Sequence, residues 1–327
     1  MNRPCSTHRA TIFLVLPVII ATGAALSRHA PCAEKREPSA LKTIHLAAGQ
    51  IVCGPGDIAG NLRQIRRLAG EAAKAGARLC LFAEGAITGY VLTGAAMAAA
   101  PRADGPVAQR LRQMAIELKM AVAAGTLERG DDGVHVSCFV ALPDGRMVVQ
   151  RKHQLTGGEL KAGLLPGPVE RTLFNVDSVT MAVCICADSG IPGIQDRLAA
   201  QGCQVFLLPT AGGGGREHIF HPADLEDPAR RAAYVKLMDQ VCSVSSAVGG
   251  CIDHRMSQLA VNLSGDDGID HYHPGHASII DSRGRIVALL PGEYVIDYLE
   301  PRMIHGLVIV QTPRTTTAGK GTKTCPR

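Results

Sequence analysis

The sequence predicts an α/β layered domain, and three observations point to it. Short apolar runs of strand length recur along the chain. Helical periodicities alternate with them. Two pairs of runs are joined by compact polar turns and read as hairpins. With 327 residues, 46% of them hydrophobic, the chain can bury the core of one large domain. No internal repeat or linker divides residues 44–312, so a single domain is expected there.

Each element has its own signal. The first strand is expected near Ile44, in TIHLAAGQIV. Leu62, Ile65, Leu68, Ala69 and Ala72 then recur at helical spacing, and Gly76 reads as the stop. LCLFA, ending at Ala83, reads as a buried strand. Val107, Leu111, Met114 and Leu118 mark a second amphipathic helix with Pro106 in its first turn. VHVSCFVAL, PDG and RMVVQRK form the first predicted hairpin. VTMAVCI and QVFLLP read as strands, and RRAAYVKLMDQV as a helix. ASIIDSRGRIVALL is the second hairpin, turning at Ser282-Arg283-Gly284. Residues 313–327 have almost no apolar content and are expected to be a disordered tail.

The N-terminus stands apart. MNRPCSTHRA is basic, ATIFLVLPVIIATGAAL is apolar, and small and polar residues follow. That order predicts an export signal over residues 1–33, cleaved near Ala33. The alternative is an uncleaved anchor, which would be the chain's one membrane contact. The protein is therefore expected outside the cytoplasm.

Composition narrows the function. Net charge is +5, but basic residues are scattered, aromatics are 3% and Trp is absent, which argues against a nucleic-acid surface. Among the eleven cysteines, Cys80, Cys138, Cys184 and Cys203 lie in or beside apolar runs and are expected as buried free thiols. No C-x-x-C pair supports a ribbon-type zinc site. His271, His273 and His276 sit on a predicted loop, with His254 or Asp253 as further candidates. They lack the helical H-E-x-x-H arrangement, so no metal is expected. Gly212 to Gly215 lack a phosphate-loop motif and read as a loop bordering a pocket.

The chemistry lies in three residues, each ending an apolar run: Glu84, Lys152 and Cys186. A thiol can attack an acyl carbon, a carboxylate can move the protons, and an ammonium can stabilise the oxyanion. Taken singly, Glu84 and Lys152 read better as solvated strand-end charges, and Cys186 as a core thiol. Strand alternation would put Cys184 and Cys186 on one face with Ile185 opposite. Cys186 is the better nucleophile because a sharp turn at the strand end would present its sulfur, whereas Cys184 is deeper.

These segments together resemble the nitrilase superfamily of carbon–nitrogen hydrolases, over about Ile44 to Gln311. Glu84 precedes Gly89-Tyr90, Arg151 precedes Lys152, and Cys186 stands before Asp188 and Pro192 with the family's spacing. Glu159 with Pro166-Gly167, LLPTAG from Leu207 to Gly212, and GHASIIDSRGRIVA from Gly275 match further family segments. The resemblance implies a four-layer α-β-β-α sandwich in a single domain, with subunits that pair as a homodimer or larger homo-oligomer. It implies catalytic roles for Glu84, Lys152 and Cys186, a supporting role for Glu159 beside Lys152, and the Ala187 backbone N–H as an oxyanion donor. It implies no metal or organic cofactor, and a small amide or N-carbamoyl compound as substrate of the amidase and carbamoylase kind.

Ala83, Gln154, Ala187 and Gly193 replace residues more usual in the family. These departures leave a non-catalytic binding or scaffold protein as the alternative from another class. Nitrile hydrolysis is a further alternative, disfavoured because Asp188 stands where nitrilases proper tend to have Glu. Acyl transfer to a lipid acceptor would need more membrane segments than the chain has.

Overall fold

A computed structural model describes residues 42–315, apart from 242, 243 and 270. The export signal expected over residues 1–33, and all but the first three residues of the expected tail, lie outside the described residues. Among the described residues no helix is long and apolar enough to cross a membrane.

The elements run β1 (Thr43–Gln50), α1 (Ile58–Lys74), β2 (Leu79–Phe82), α2 (Gly94–Ala98), α3 (Pro106–Leu118), β3 (Ala121–Arg129), β4 (Val134–Ala141), β5 (Met147–Arg151) and α4 (Gly157–Lys161). Then come β6 (Phe174–Val176), β7 (Val179–Val183), α5 (Ile194–Ala200), β8 (Val205–Thr210), β9 (Gly214–Gly215), α6 (Pro228–Val241) and α7 (Ser245–His254). The last are β10 (Ser257–Asn262), β11 (Ser264–Asp266), β12 (His271–Pro274), β13 (Ala277–Ile280), β14 (Ile286–Leu290) and β15 (Arg302–Ile309).

Two six-stranded mixed sheets carry the fold, in the orders β15-β1-β2-β3-β4-β5 and β14-β13-β10-β8-β7-β6. Each has three parallel strands at its centre, β1, β2 and β3 in one and β10, β8 and β7 in the other. Antiparallel strands flank them on both sides. The sheets pack on each other, β1 against β10 and β13 and β2 against β8 and β10. Helices α1 and α3 pack on the first sheet, and α7 packs on β10 and β13 of the second. Helix α5 covers the second sheet through Ile194 and Leu198, which cluster with Ala182, Cys184 and Phe206. The result is the four-layer α-β-β-α sandwich in one domain.

The sequence signals act as physical chemistry requires. In α1 the periodic residues Leu62, Ile65, Leu68, Ala69 and Ala72 are the buried stripe. Asp57 caps its N-terminus by accepting from the Gly60 N–H at 2.8 Å. Gly76, with φ 87°, takes the chain out of the helix. Pro106 opens α3, where its missing N–H costs nothing. The second predicted hairpin is β13–β14, and Asp281 holds its turn by accepting from the Arg283 and Arg285 N–H groups, both at 3.0 Å. Between the sheets, Leu46, Val183, Leu207, Leu259 and Ile279 belong to one continuous buried core. Cys80, Cys138, Cys184 and Cys203 are free buried thiols.

One expectation is corrected. Cys184 and Cys186 do not share a face. Strand β7 ends at Val183, and Cys184 packs outward with Ile194, Leu198 and Cys203. Ile185 belongs to the core between the sheets, and Cys186 packs against that same core. The alternation stops because Cys186 is left-handed, with φ 48°, at the start of a 3-10 turn.

Candidate active site

The strand ends bring distant side chains together. Glu84 follows β2 by two residues, Lys152 follows β5 directly, and Cys186 stands three residues beyond β7. The turn after β2 is held to β3 by Gly125 N–H to Ala83 O at 3.0 Å and Ile87 N–H to Gly125 O at 2.9 Å. A Cβ on Gly125 would lie 2.5 Å from both Ala83 O and Glu84 Cα, so any larger residue there displaces Glu84.

Lys152 is fully buried between two carboxylates. Its Nζ donates to Glu84 Oε1 at 2.8 Å and to Glu159 Oε1 at 2.7 Å. The solvated reading of Glu84 is thereby excluded, since Glu84 is 1% exposed and Lys152 and Glu159 are 0% exposed. Glu159 is fixed from several sides. The Tyr90 hydroxyl donates to its Oε1 at 2.6 Å and the Thr156 N–H to its Oε2 at 2.6 Å. The Glu159 N–H in turn donates to Thr156 Oγ1 at 3.3 Å, a reciprocal cap at the start of α4. The group that orients Lys152 is thus built into a helix terminus.

Cys186 lines the same cavity as Glu84, a space of about 740 Å³. Glu84 Oε2 is buried without a hydrogen-bond partner among the described residues. Burial pushes the Glu84 carboxyl up to about 7, against the pull of Lys152. Burial, and then the Glu84 charge, push the Cys186 thiol up to about 11. Burial opposes the Lys152 charge, but Glu84, Cys186 and Glu159 together hold its pKa above the ordinary lysine value. At neutral pH the site therefore holds a thiol, an ammonium and a carboxyl group near its midpoint, not a preformed thiolate.

Asp188 ties the strand ends together. Its Oδ1 accepts from the His153 and Gln154 N–H groups at 2.9 and 2.8 Å. Its Oδ2 accepts from Arg171 Nη1 at 2.8 Å and from the Ile185 N–H at 3.2 Å. One carboxylate thus joins the segment after Lys152 to the segment before Cys186. The clamp uses the backbone of Gln154, so it does not depend on that side chain. His153 turns away and makes a 2.8 Å hydrogen bond through Nδ1 to Gly167 O. Gly193 has φ 68° at the N-cap of α5, a conformation glycine adopts without strain, which accounts for its place after Pro192.

The side chains of Arg171 and Asp188 are both 0% exposed. Removing the cation leaves a buried carboxylate with backbone N–H donors but no opposite charge. Arg171→Met is expected to lower unfolding free energy by about 3–5 kcal/mol in urea denaturation. A loss below about 1 kcal/mol would show that the pair does not hold these segments.

Every site residue expected from the sequence lies in this region. Glu84, Lys152 and Glu159 are in direct contact, Cys186 shares the cavity with Glu84, and Ala187 lines an adjoining one. Arg171 was not anticipated, because nothing in its neighbourhood in sequence marks it. In the sequence Tyr90 carries only a motif position, and its hydroxyl's hold on Glu159 is visible only in the structure. Of the histidines, His273 is buried and lines the larger cavity, and His276 lines the adjoining one. No metal-binding cluster occurs among the described residues.

A sequence model of the carbon–nitrogen hydrolase family matches residues 45–295. The chain belongs to the carbon–nitrogen hydrolase family. It is 33% identical over 177 residues to a protein named "Hydrolase in pqqF 5'region" from Pseudomonas protegens, covering 53% of this chain and 61% of that one. It is 30% identical over 179 residues to a hydrolase of Mycobacterium tuberculosis, covering 53% and 62%. The matched segment thus spans about six-tenths of these relatives. Among solved structures, an amidase from Nesterenkonia sp. superposes with a TM-score of 0.62 at 20% identity, over 82% of this chain and 91% of that one. A cysteine-to-alanine mutant of that amidase in complex with butyramide superposes equally well, over 81% and 91%. At that identity the likeness concerns the fold.

Proposed function

We propose that this protein hydrolyses the C–N bond of a small amide or N-carbamoyl compound through a thioester on Cys186. The observation that carries the reading is the buried Glu84–Lys152–Glu159 cluster at the cavity that Cys186 lines, with one Glu84 oxygen left without a hydrogen-bond partner among the described residues.

The steps follow from the charges. Glu84 accepts the thiol proton as sulfur attacks the carbonyl carbon. The oxyanion is stabilised by the Lys152 ammonium and the Ala187 N–H, each such donor contributing about 3 kcal/mol. Glu84 returns the proton to the departing nitrogen, and the C–N bond breaks. Water then attacks the thioester with Glu84 as base, the acid leaves, and the proton returns to sulfur. The cycle balances without metal, redox partner or organic cofactor. Glu159, held by Tyr90 and Thr156, positions Lys152 and touches no substrate.

A non-catalytic scaffold is the weaker reading. Burying one cation between two carboxylates carries a desolvation cost of several kcal/mol per ion. A non-glycine residue at φ 48° costs about 1–3 kcal/mol. Both are concentrated where chemistry would use them, and a binding surface needs neither. Nitrile hydrolysis uses the same thiol, so nitriles belong in the same assay.

Ammonia release from a panel of small amides, N-carbamoyl compounds and nitriles tests the reading. Below pH 7 Glu84 holds its proton and cannot accept another. Activity is therefore expected to rise with pH on a limb centred near pH 7, and Glu84→Gln is expected to lose both the limb and at least about 10²-fold in kcat. No turnover anywhere in the panel would sink the proposal.

A further inference from the structure

Cys186 lies at the junction of two cavities. The larger, about 740 Å³, holds Glu84, Tyr90 and Thr93 with Cys186. The smaller, about 630 Å³, holds Ala187, Thr210, Leu237, His276 and Tyr294 with the same Cys186. Gly212 also borders both, so the spaces adjoin at the sulfur and the loop after β8. A primary amide extends in one direction from the attacked carbon, since ammonia is its whole leaving group. A secondary amide extends in two. Resting on the hydrolase reading above, we infer that the substrates are N-substituted amides, with one half of the molecule in each cavity.

Proton transfer decides which half goes where. Glu84 must face the departing nitrogen, and Glu84 lines the larger cavity and not the smaller one. The amine half therefore occupies the larger cavity and the acyl half the smaller. Leu237 and Tyr294 give the smaller cavity apolar walls suited to an alkyl acyl chain. His276, left-handed at φ 104°, is held there by its N–H to Gln50 Oε1 at 2.9 Å. Its Nδ1 is buried without a partner among the described residues and adds a polar group to that cavity beside Thr210 and Asn262. The chemistry is unchanged: sulfur bonds to carbon, the C–N bond breaks, and the thiol proton travels through Glu84 to nitrogen. A primary amine leaves in place of ammonia.

The test compares acetamide, butyramide and N-propylbutyramide, reading the released acid in every case. N-propylbutyramide is expected to be cleaved with kcat/KM at least equal to that of butyramide. Thr93→Trp, which narrows the larger cavity, is expected to lower the ratio of N-propylbutyramide to butyramide at least tenfold. Leu237→Trp, which narrows the smaller cavity, is expected to lower the ratio of butyramide to acetamide to a similar degree. Hydrolysis of primary amides with N-propylbutyramide cleaved below one-hundredth of the butyramide rate would overturn this inference and leave the hydrolase reading standing. Exchanged effects of the two tryptophan variants would overturn the assignment of halves. Wild-type data alone decide the first point if either variant fails to fold. Absence of turnover with all three amides, together with no acyl adduct on Cys186, would remove the hydrolase reading itself.

Discussion

Cys186→Ala is expected to abolish turnover, by at least about 10⁴-fold in kcat, while leaving the fold intact. On the proposed thioester route the substitution removes the attacking sulfur. Cys184 is two residues away but points to the opposite side, packed beneath α5 with Ile194 and Leu198. Burial holds its thiol far above the ordinary range. Cys184→Ala is therefore expected to keep most of the activity and to cost stability instead. The measurement is kcat for both variants beside their urea unfolding curves. Equal loss of activity at the two positions would contradict the separation of faces.

Lys152→Gln is expected to cost at least about 10²-fold in kcat, as removal of an oxyanion donor does. It also leaves Glu84 and Glu159 buried on either side of a neutral amide. Burial already pushes the Glu84 carboxyl up, and without the Lys152 charge the main pull against that push is gone, so Glu84 keeps its proton to higher pH. The variant is expected to lose about 3–5 kcal/mol of stability at neutral pH, the scale of breaking a buried pair. The sign of the pH effect follows. The stranded Glu84 carboxylate costs most when ionised, so the deficit relative to wild type should shrink as pH falls and Glu84 becomes neutral. Urea denaturation at pH 5 and pH 8, alongside kcat, reads both effects. A deficit that grows on acidification would contradict this account of the cluster.

The legible parts of the molecule are those whose signal is local and repeated. The stripe of α1, the proline start of α3 and the turn residues of both hairpins all reappear in the structure. The small sheet β11-β12-β9 gave no such signal, because β9 is two glycines and β11 three residues. Helix α7 was hidden for a related reason: SSAVGGCIDH carries adjacent glycines that weaken any helical reading.

The site divides the same way. Glu84, Lys152 and Cys186 were recognisable by their order at strand ends, although no single one was decisive. Thr156 and Glu159 spell a capping box, so the rigid hold on Glu159 was written locally and could have been read from the sequence. The Arg171–Asp188 pair was not legible, since it joins segments that only the sheet brings together. Alternation predicts the wrong face for Cys186 because it assumes an extended backbone, and one left-handed residue ends that assumption.

The most direct measurement is peptide mass mapping of the protein after rapid acid quench during turnover of butyramide or of p-nitrophenyl butyrate. A thioester route predicts a butyryl group replacing one hydrogen on the peptide carrying Cys186, absent from Cys186→Ala. Continued hydrolysis with that peptide unmodified, or with the acyl group on Cys184, would contradict it.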